Sequence, residues 1–406
     1  DTRQSGDMLE AALTAGLCSV GADVETLGVL PTPAVAYLVG RYNADAGIVI
    51  SASHNPMEFN GIKIFAGTGY KLPDEVENEI EAYIDNKCAG LKLATGDDVG
   101  RVTYRTDGIK DYADHLYESI NGDLSGLNVC IDCANGASAA VAQKLFPRLG
   151  AKCTFIGVAP DGENINKGVG STHLENLEKA VVEGGFDCGI AFDGDADRCL
   201  TVDEQGCVID GDKMMAICAA EMEKKGRLHG GGFVATVMSN IGLHKYCAEH
   251  GLRLLCASVG DRNVLELMQK EGMRLGGEQS GHIIFLDYMP TGDGQLAALQ
   301  FLDILSHSGK KASELSASVR QYPQLLQNVR VTSNEQKTAI MQSDSLREAI
   351  QKAEAELGEN GRVLIRPSGT EPLIRVMVEA GTEQQAQAVT QALVQHVENL
   401  QKSSEK

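Results

Sequence analysis

No apolar run in the 406-residue sequence approaches the length that a membrane span requires. A charged-then-apolar leader is also missing, so no membrane partner is expected. Positive charge is scarce: 36 Lys and Arg stand against 56 Asp and Glu, a formal net charge of −20. That balance argues against nucleic acid or an anionic lipid surface as partner. Any phosphorylated ligand would need a local basic site inside an acidic surface. A disulfide framework is lacking as well. The eleven cysteines are odd in number and sit mostly in apolar patterns, such as Cys18, Cys218 and Cys256. Scattered in this way they read as reduced thiols in a cytoplasmic protein. Cys130 and Cys133 have CxxC spacing but lie on a strand running into a turn, without the helix start that a redox pair needs.

What is present fits a folded multidomain protein. Hydrophobic residues make up 43% and charged residues 23%, and the length predicts roughly two to four domains. The first informative stretch is Ile48-Val49-Ile50-Ser51-Ala52-Ser53-His54-Asn55-Pro56. An apolar β-branched run, the end of a buried strand, stops at a tight polar loop. Open α/β sheets place ligands at the carboxyl ends of strands. Ser53 beside His54 is there a candidate nucleophile or phosphate carrier; the alternative is an ordinary capped loop. Lys63, shortly downstream, reads either as a general acid or base returning to the same pocket or as a solvated strand lysine.

The alternation of strand and helix continues. Helix is expected around Leu9, Leu13 and Leu17, then strand from Val24, then helix, then the strand ending at Ser51. No strand precedes Asp1 to carry its loop, so the first unit reads as truncated or short of one element. A second unit begins with the strand Asn128 to Asp132, and a third near Gly211. After Pro323 the pattern changes to a small α+β unit whose two adjacent strands, Arg362 to Arg366 and Leu373 to Glu379, imply a hairpin. The expected domains are 1–106, 107–209, 210–322 and 323–406.

Three further stretches carry chemistry. In Asp193-Gly194-Asp195-Ala196-Asp197-Arg198, three carboxylates alternate after an apolar strand. An extended segment would place all three on one side, and like charges that close call for a cation. Hard oxygen ligands suit Mg²⁺; a solvated acidic turn is the alternative. An EF-hand is excluded, because Arg198 stands where such a loop needs glycine. Arg198 would hold a phosphoryl or sugar oxygen beside the metal. In Gly277-Glu278-Gln279-Ser280-Gly281-His282, glycines allow close approach of a ligand. There Glu278 and Ser280, on an extended loop, could face sugar hydroxyls; a plain tight turn is the alternative. In Arg366-Pro367-Ser368-Gly369-Thr370-Glu371-Pro372-Leu373-Ile374-Arg375, two guanidiniums bracket a loop of hydroxyls and free N–H groups. It forms an anion nest or, alternatively, an ordinary hairpin loop.

These four loops, in this order, resemble those of the α-D-phosphohexomutase superfamily. Ser53-His54-Asn55-Pro56 matches its phosphoserine loop, Asp193 to Arg198 its magnesium loop, Gly277 to His282 its sugar loop, and Arg366 to Thr370 with Arg375 its phosphate loop. Asn164-Ile165-Asn166, Val169 to His173 and Val259-Gly260-Asp261-Arg262 are similar to the branch of bacterial phosphoglucosamine mutases. The segment with which that family normally begins is absent here, since Asp1-Thr2-Arg3 matches its next motif.

The resemblance implies an α/β protein: three similar α/β domains with mixed sheets plus a small C-terminal α+β domain around a central cleft. It implies interconversion of glucosamine 6-phosphate and glucosamine 1-phosphate through a phosphoserine and a bisphosphorylated sugar. That product would supply cell-wall precursor synthesis in a bacterial cytoplasm. Implied ligands are one Mg²⁺ per chain, on Ser53, Asp193, Asp195 and Asp197, and a sugar bisphosphate as activator or intermediate. Ser53, His54, Lys63, Arg198 and His282 would be catalytic. Glu278, Ser280, Asp261 and Arg262 would bind substrate, as would Arg366, Ser368, Gly369, Thr370 and Arg375. A homodimer stays open. The alternatives are a phosphoglucomutase or phosphomannomutase of the same superfamily, or a non-catalytic sugar-phosphate-binding protein.

Overall fold

The computed structural model describes residues 1–368 and 371–404. The chain divides into two compact units: Asp1–Met238 with Leu252–Ser318, and Ser239–Gly251 with Val319–Lys406. Among the described residues no helix is long and apolar enough to cross a membrane.

The first unit contains the strand Cys188–Phe192, which is buried along its whole length. A strand covered on both faces reads as a continuous apolar run. It lies at the centre of a five-stranded sheet in the spatial order Lys152–Ile156, Asn128–Asp132, Cys188–Phe192, Cys199–Asp203, Val208–Ile209. The first three run parallel and the last two antiparallel. A four-stranded sheet repeats this plan in the order Arg253–Ala257, Gly232–Thr236, Leu275–Gly277, Ile283–Phe285, with only the last strand reversed. Near the start of the chain the sheets are smaller. Val24–Thr26 pairs in parallel with Val102–Tyr104, and Ala46–Ile50 pairs antiparallel with Ile62–Ala66.

Two helix starts in this unit are capped by carboxylates. The Asp210 side chain accepts from Lys213 N at 3.1 Å at the head of Gly211–Lys224, and Asp293 accepts from Leu296 N at 2.9 Å at the head of Gly294–Ser308.

The second unit is a three-stranded antiparallel sheet in the order Gln324–Arg330, Leu373–Glu379, Arg362–Pro367. Val376, Val378, Val389, Leu393 and Val397 lie in its core, so one face of the Glu383–Ser404 helix covers the sheet. The helix Ile241–Glu249 belongs to this unit although its sequence neighbours lie in the first. Asn240 Nδ2 donates to the Tyr322 carbonyl at 3.0 Å, and Ile241 N donates to the Glu379 carboxylate at 3.0 Å.

All four loops singled out in the sequence are hairpin connections. The Ser53, Asp193 and Glu278 loops each leave one strand and return as its antiparallel neighbour. The Ser368 loop does the same in the second unit.

Candidate active site

Ser53 follows the Ala46–Ile50 strand in a left-handed backbone conformation, φ 52°. Its hydroxyl donates to Asp193 Oδ2 at 2.6 Å and lies 3.3 Å from His54 Nδ1. Burial, and then the Arg198 charge, lower the His54 pKa below its ordinary value.

Asp193, Asp195 and Asp197 do converge, but by a different route from the one expected. Residues 194–197 form turn and bend instead of an extended segment, with Ala196 at φ 57°. The loop coils so that one oxygen from each carboxylate lies within 4.8 Å of the others. Asp193 also accepts from Arg198 N at 3.1 Å, which closes the coil. All three aspartates are buried. Burial first, and then the Asp197 and Asp195 charges, push the Asp193 carboxyl well above the usual range. Burial alone would raise Asp197, but Lys63, His282 and Arg198 hold it well below that range.

Lys63 returns to this pocket. Its Nζ donates to Asp195 Oδ2 at 2.6 Å and to Asp197 Oδ2 at 3.3 Å. Burial opposes its charge, yet Asp197 and Asp195 outweigh burial and hold the ammonium above its ordinary value.

Even so, Asp195 Oδ1 and Asp197 Oδ1 stay buried without a hydrogen-bond partner. Orphaned buried carboxylate oxygens are costly, and a divalent cation would satisfy them. The donor set is all hard oxygen, so the three residues fit a metal of the Mg²⁺ or Ca²⁺ type.

His282 is buried, with Nδ1 3.7 Å from Asp197 Oδ2 and Nε2 3.8 Å from Asp261 Oδ2. Gly292 N donates to its Nε2 at 3.2 Å, and a Cβ at Gly292 would run into the imidazole ring. Arg198 Nε lies 3.9 Å from Asp197 Oδ1 and has no hydrogen-bond partner.

The Glu278 loop is a tight hairpin turn, not an extended segment: Gly281 N donates back to the Glu278 carbonyl at 3.0 Å. Glu278 accepts from Gly260 N at 3.0 Å and from Ser280 Oγ at 3.3 Å. Asp261 and Arg262 head the Asp261–Glu271 helix and engage residues 71–77. Arg262 Nη2 donates to the Leu72 carbonyl at 2.8 Å and to Glu77 at 3.3 Å, and Asp261 pairs with Lys71. Burial would raise the Asp261 carboxyl; His282 and Lys71 overcome this and hold it low.

In the second unit, Arg366 and Arg375 are register partners across the hairpin. Burial and the Arg375 charge lower the Arg366 pKa. Both Nε atoms are buried and unpartnered. Ser368 is buried, and its hydroxyl accepts from Glu371 N at 3.3 Å. Lys337 Nζ braces the loop from behind, donating to the carbonyls of Ser368 at 2.7 Å and Glu371 at 3.1 Å. Gly369 and Thr370 lie outside the described residues. Two facing cations with orphaned donors are the chemistry of an anion site.

Models of the phosphoglucomutase/phosphomannomutase family match the chain in sequence order. The alpha/beta/alpha domains I, II and III match residues 1–89, 110–206 and 210–322, and the C-terminal domain matches 326–396. A phosphoglucosamine mutase from Clostridium tetani is 51% identical over 402 residues, 99% of this chain and 90% of its own length. The chain belongs to the phosphoglucosamine mutase family. Another phosphoglucosamine mutase, from a Thermoanaerobacter species, is 55% identical over 93% of this chain and 84% of its own. A crystal structure of a phosphoglucomutase/phosphomannomutase family protein from Burkholderia thailandensis has the same fold. Its TM-score is 0.78 over 98% of this chain and 88% of that one, at 23% identity.

Three residues of this phosphoglucosamine mutase family member carry contacts that sequence reasoning missed. Thr32 Oγ1 donates to Asp195 Oδ2 at 2.5 Å. Arg3 is buried, with Nη2 on the Asn55 carbonyl at 2.6 Å. Lys337 gave no sign in its helical stretch. Only for Thr32 was there a signal, its place between two prolines that stop a strand.

Proposed function

We propose that this protein interconverts glucosamine 6-phosphate and glucosamine 1-phosphate, with Ser53 as the phosphoryl carrier. Two observations support it: the Ser53 hydroxyl 2.6 Å from a buried aspartate triad, and about half identity to phosphoglucosamine mutases over nearly the whole chain. A mutase must load one hydroxyl of a sugar and unload another. Phospho-Ser53 gives its phosphoryl group to O1 or O6; the bond to Ser53 Oγ breaks as the bond to the sugar oxygen forms. The bisphosphorylated sugar then turns over and returns its other phosphate to Ser53.

Asp193, Asp195 and Asp197, with a phosphoserine oxygen, would hold one Mg²⁺, which supplies positive charge to the transferring group. Lys63, held in its charged form, adds positive charge from the chain itself. His54, its pKa lowered and its ring beside Ser53 Oγ, would serve proton transfer at the serine oxygen, with Lys63 and His282 the other candidates for proton transfer at the sugar hydroxyl. His282, against Asp197 and Asp261, orders the pocket around it. Arg198 holds a phosphoryl oxygen. Glu278 and Ser280 bind sugar hydroxyls, and Asp261 and Arg262 border them. Arg366, Ser368, Gly369, Thr370 and Arg375 hold the phosphate that is not being transferred. The scattered cysteines, with no disulfide among the described residues, support a cytoplasmic location.

The test is a coupled assay for glucosamine 1-phosphate with and without added sugar bisphosphate, run on the wild type and Ser53→Ala. Loss of turnover in Ser53→Ala, and a clear preference for glucosamine phosphate over glucose and mannose phosphates, is expected. Full turnover by Ser53→Ala refutes the carrier, and equal turnover on all three sugars refutes the specificity.

A further inference from the structure

Ser53 has a φ of 52°, which L residues rarely adopt, and locally only its N–H is tied, donating to Ser51 Oγ at 2.9 Å. Two side chains from distant parts of the chain hold it there, and both grip the same two carbonyls. Arg3 Nη2 donates to Ser53 O at 3.1 Å and to Asn55 O at 2.6 Å. Asn166 Nδ2 donates to Ser53 O at 2.9 Å and to Asn55 O at 3.0 Å. Carbonyl oxygens only accept, so the amide nitrogen of Asn166 must face them.

Asn166 is itself anchored. It is buried, its backbone is left-handed at φ 58°, and its N–H donates to Ala134 O at 2.9 Å. The buried carboxylate of Asp132, at the end of a central strand, accepts from Ala134 N at 2.9 Å and from Gly170 N at 2.8 Å. It thereby ties the Ala134 turn to the loop that carries Asn166. The metal loop closes the arrangement: a Cβ on Gly194 would lie 2.7 Å from Ser53 O and 2.8 Å from Asn166 Nδ2. The carrier loop, the Asn166 side chain and the aspartate loop thus meet at one point.

We propose that Asn166 is a positioning residue for phosphoryl transfer. Its amide, with the Arg3 guanidinium, fixes the Ser53 main chain so that Oγ stays in register with the aspartates. The inference rests on Ser53 being the carrier. Asn166 acts through Ser53, so its loss lowers kcat and leaves KM for the sugar phosphate little changed. A loosened phosphoserine is also more open to water, so it loses phosphate to solvent faster.

Two variants separate the amide from the backbone. Asn166→Gly tolerates the left-handed conformation but deletes the amide. Asn166→Asp keeps the size but turns acceptors toward the two carbonyls. The readouts are kcat, KM, thermal midpoint, and phosphate release from phosphorylated Ser53. Both variants should lose about 10- to 100-fold in kcat, the scale of a small misplacement of a reacting group, and release phosphate faster. A kcat within about twofold of wild type in both overturns the proposal, as does a loss confined to KM. Should either fail to fold, Arg3→Lys, which keeps the charge but loses the fork, carries the same expectation. Ser53→Ala is the control: if it is inactive while the Asn166 variants are fully active, only the positioning role is refuted. If Ser53→Ala is active, the carrier itself is refuted.

Discussion

Arg366 and Arg375 stand opposite each other across the second-unit hairpin, each with a buried Nε that donates to nothing. Like charges in directly opposed positions weaken a sheet, so this pair is kept against local stability. Replacing either one with Met should leave the thermal midpoint unchanged or higher. KM for the sugar phosphate should rise about 10- to 100-fold, the scale of a lost charge-assisted bond of roughly 1.5–3 kcal/mol. Steady-state kinetics beside a thermal scan checks both; a lower midpoint with an unchanged KM would contradict the anion site.

Asp193 shows the same conflict with the sign reversed. Its carboxyl is pushed up by burial and by its two acidic neighbours, so ionising it costs stability near neutral pH. Asp193→Asn should raise the thermal midpoint of the metal-free protein. Mg²⁺ should raise the midpoint of the wild type and not that of the variant. Thermal scans with EDTA and with Mg²⁺ test this, and a lower metal-free midpoint would count against it.

Asp293, next to the aspartate loop through the Gly294 N–H on Ala196 O at 3.0 Å, offers a further measurable pH dependence. It is buried, accepts from Tyr112 Oη at 2.6 Å, and is pushed up by burial from 3.8 to about 6. The folded state therefore holds a proton between about pH 4 and pH 6 that the unfolded chain has released. Its contribution to stability is present at low pH and lost as the pH rises through 6. Denaturation of wild type and Asp293→Asn across this window should show a difference that grows toward neutral pH. The variant should gain on the order of 2–3 kcal/mol relative to wild type, less whatever the amide loses as a partner for Tyr112. A pH-independent difference would overturn the assignment.

Gly292 supports the His282 ring, and no side chain fits between them. Gly292→Ala should displace the imidazole from Asp197 and lower kcat, with little effect on phosphate affinity. An unchanged kcat would mean that the ring's place is not needed for turnover.

Much of this architecture was legible because its signals are local. The four loops stand out as polar breaks after apolar strands, and a strand's end is written in the strand itself. What escaped is long-range. Arg3 and Thr32 sit 50 or more positions from the groups they hold, and no spacing rule reaches so far. The geometry of Asp193 to Asp197 was misread for a related reason: alternation suggests an extended chain, but Gly194 and the left-handed Ala196 coil it. Lys337, at 8% exposure, looks in sequence like any helix-face lysine; only the fold buries its ammonium under the Ser368 loop.

Because each functional loop is the tip of a strand pair whose ladder is already closed beneath it, a tip can lengthen, shorten or change residues without shifting the register below. Selectivity for one sugar over another can therefore drift at a single tip while the other three keep their tasks. If the Glu278 tip reads the sugar hydroxyls as proposed, a new hexose specificity would be sought by transplanting that tip alone, leaving the frame that presents it untouched.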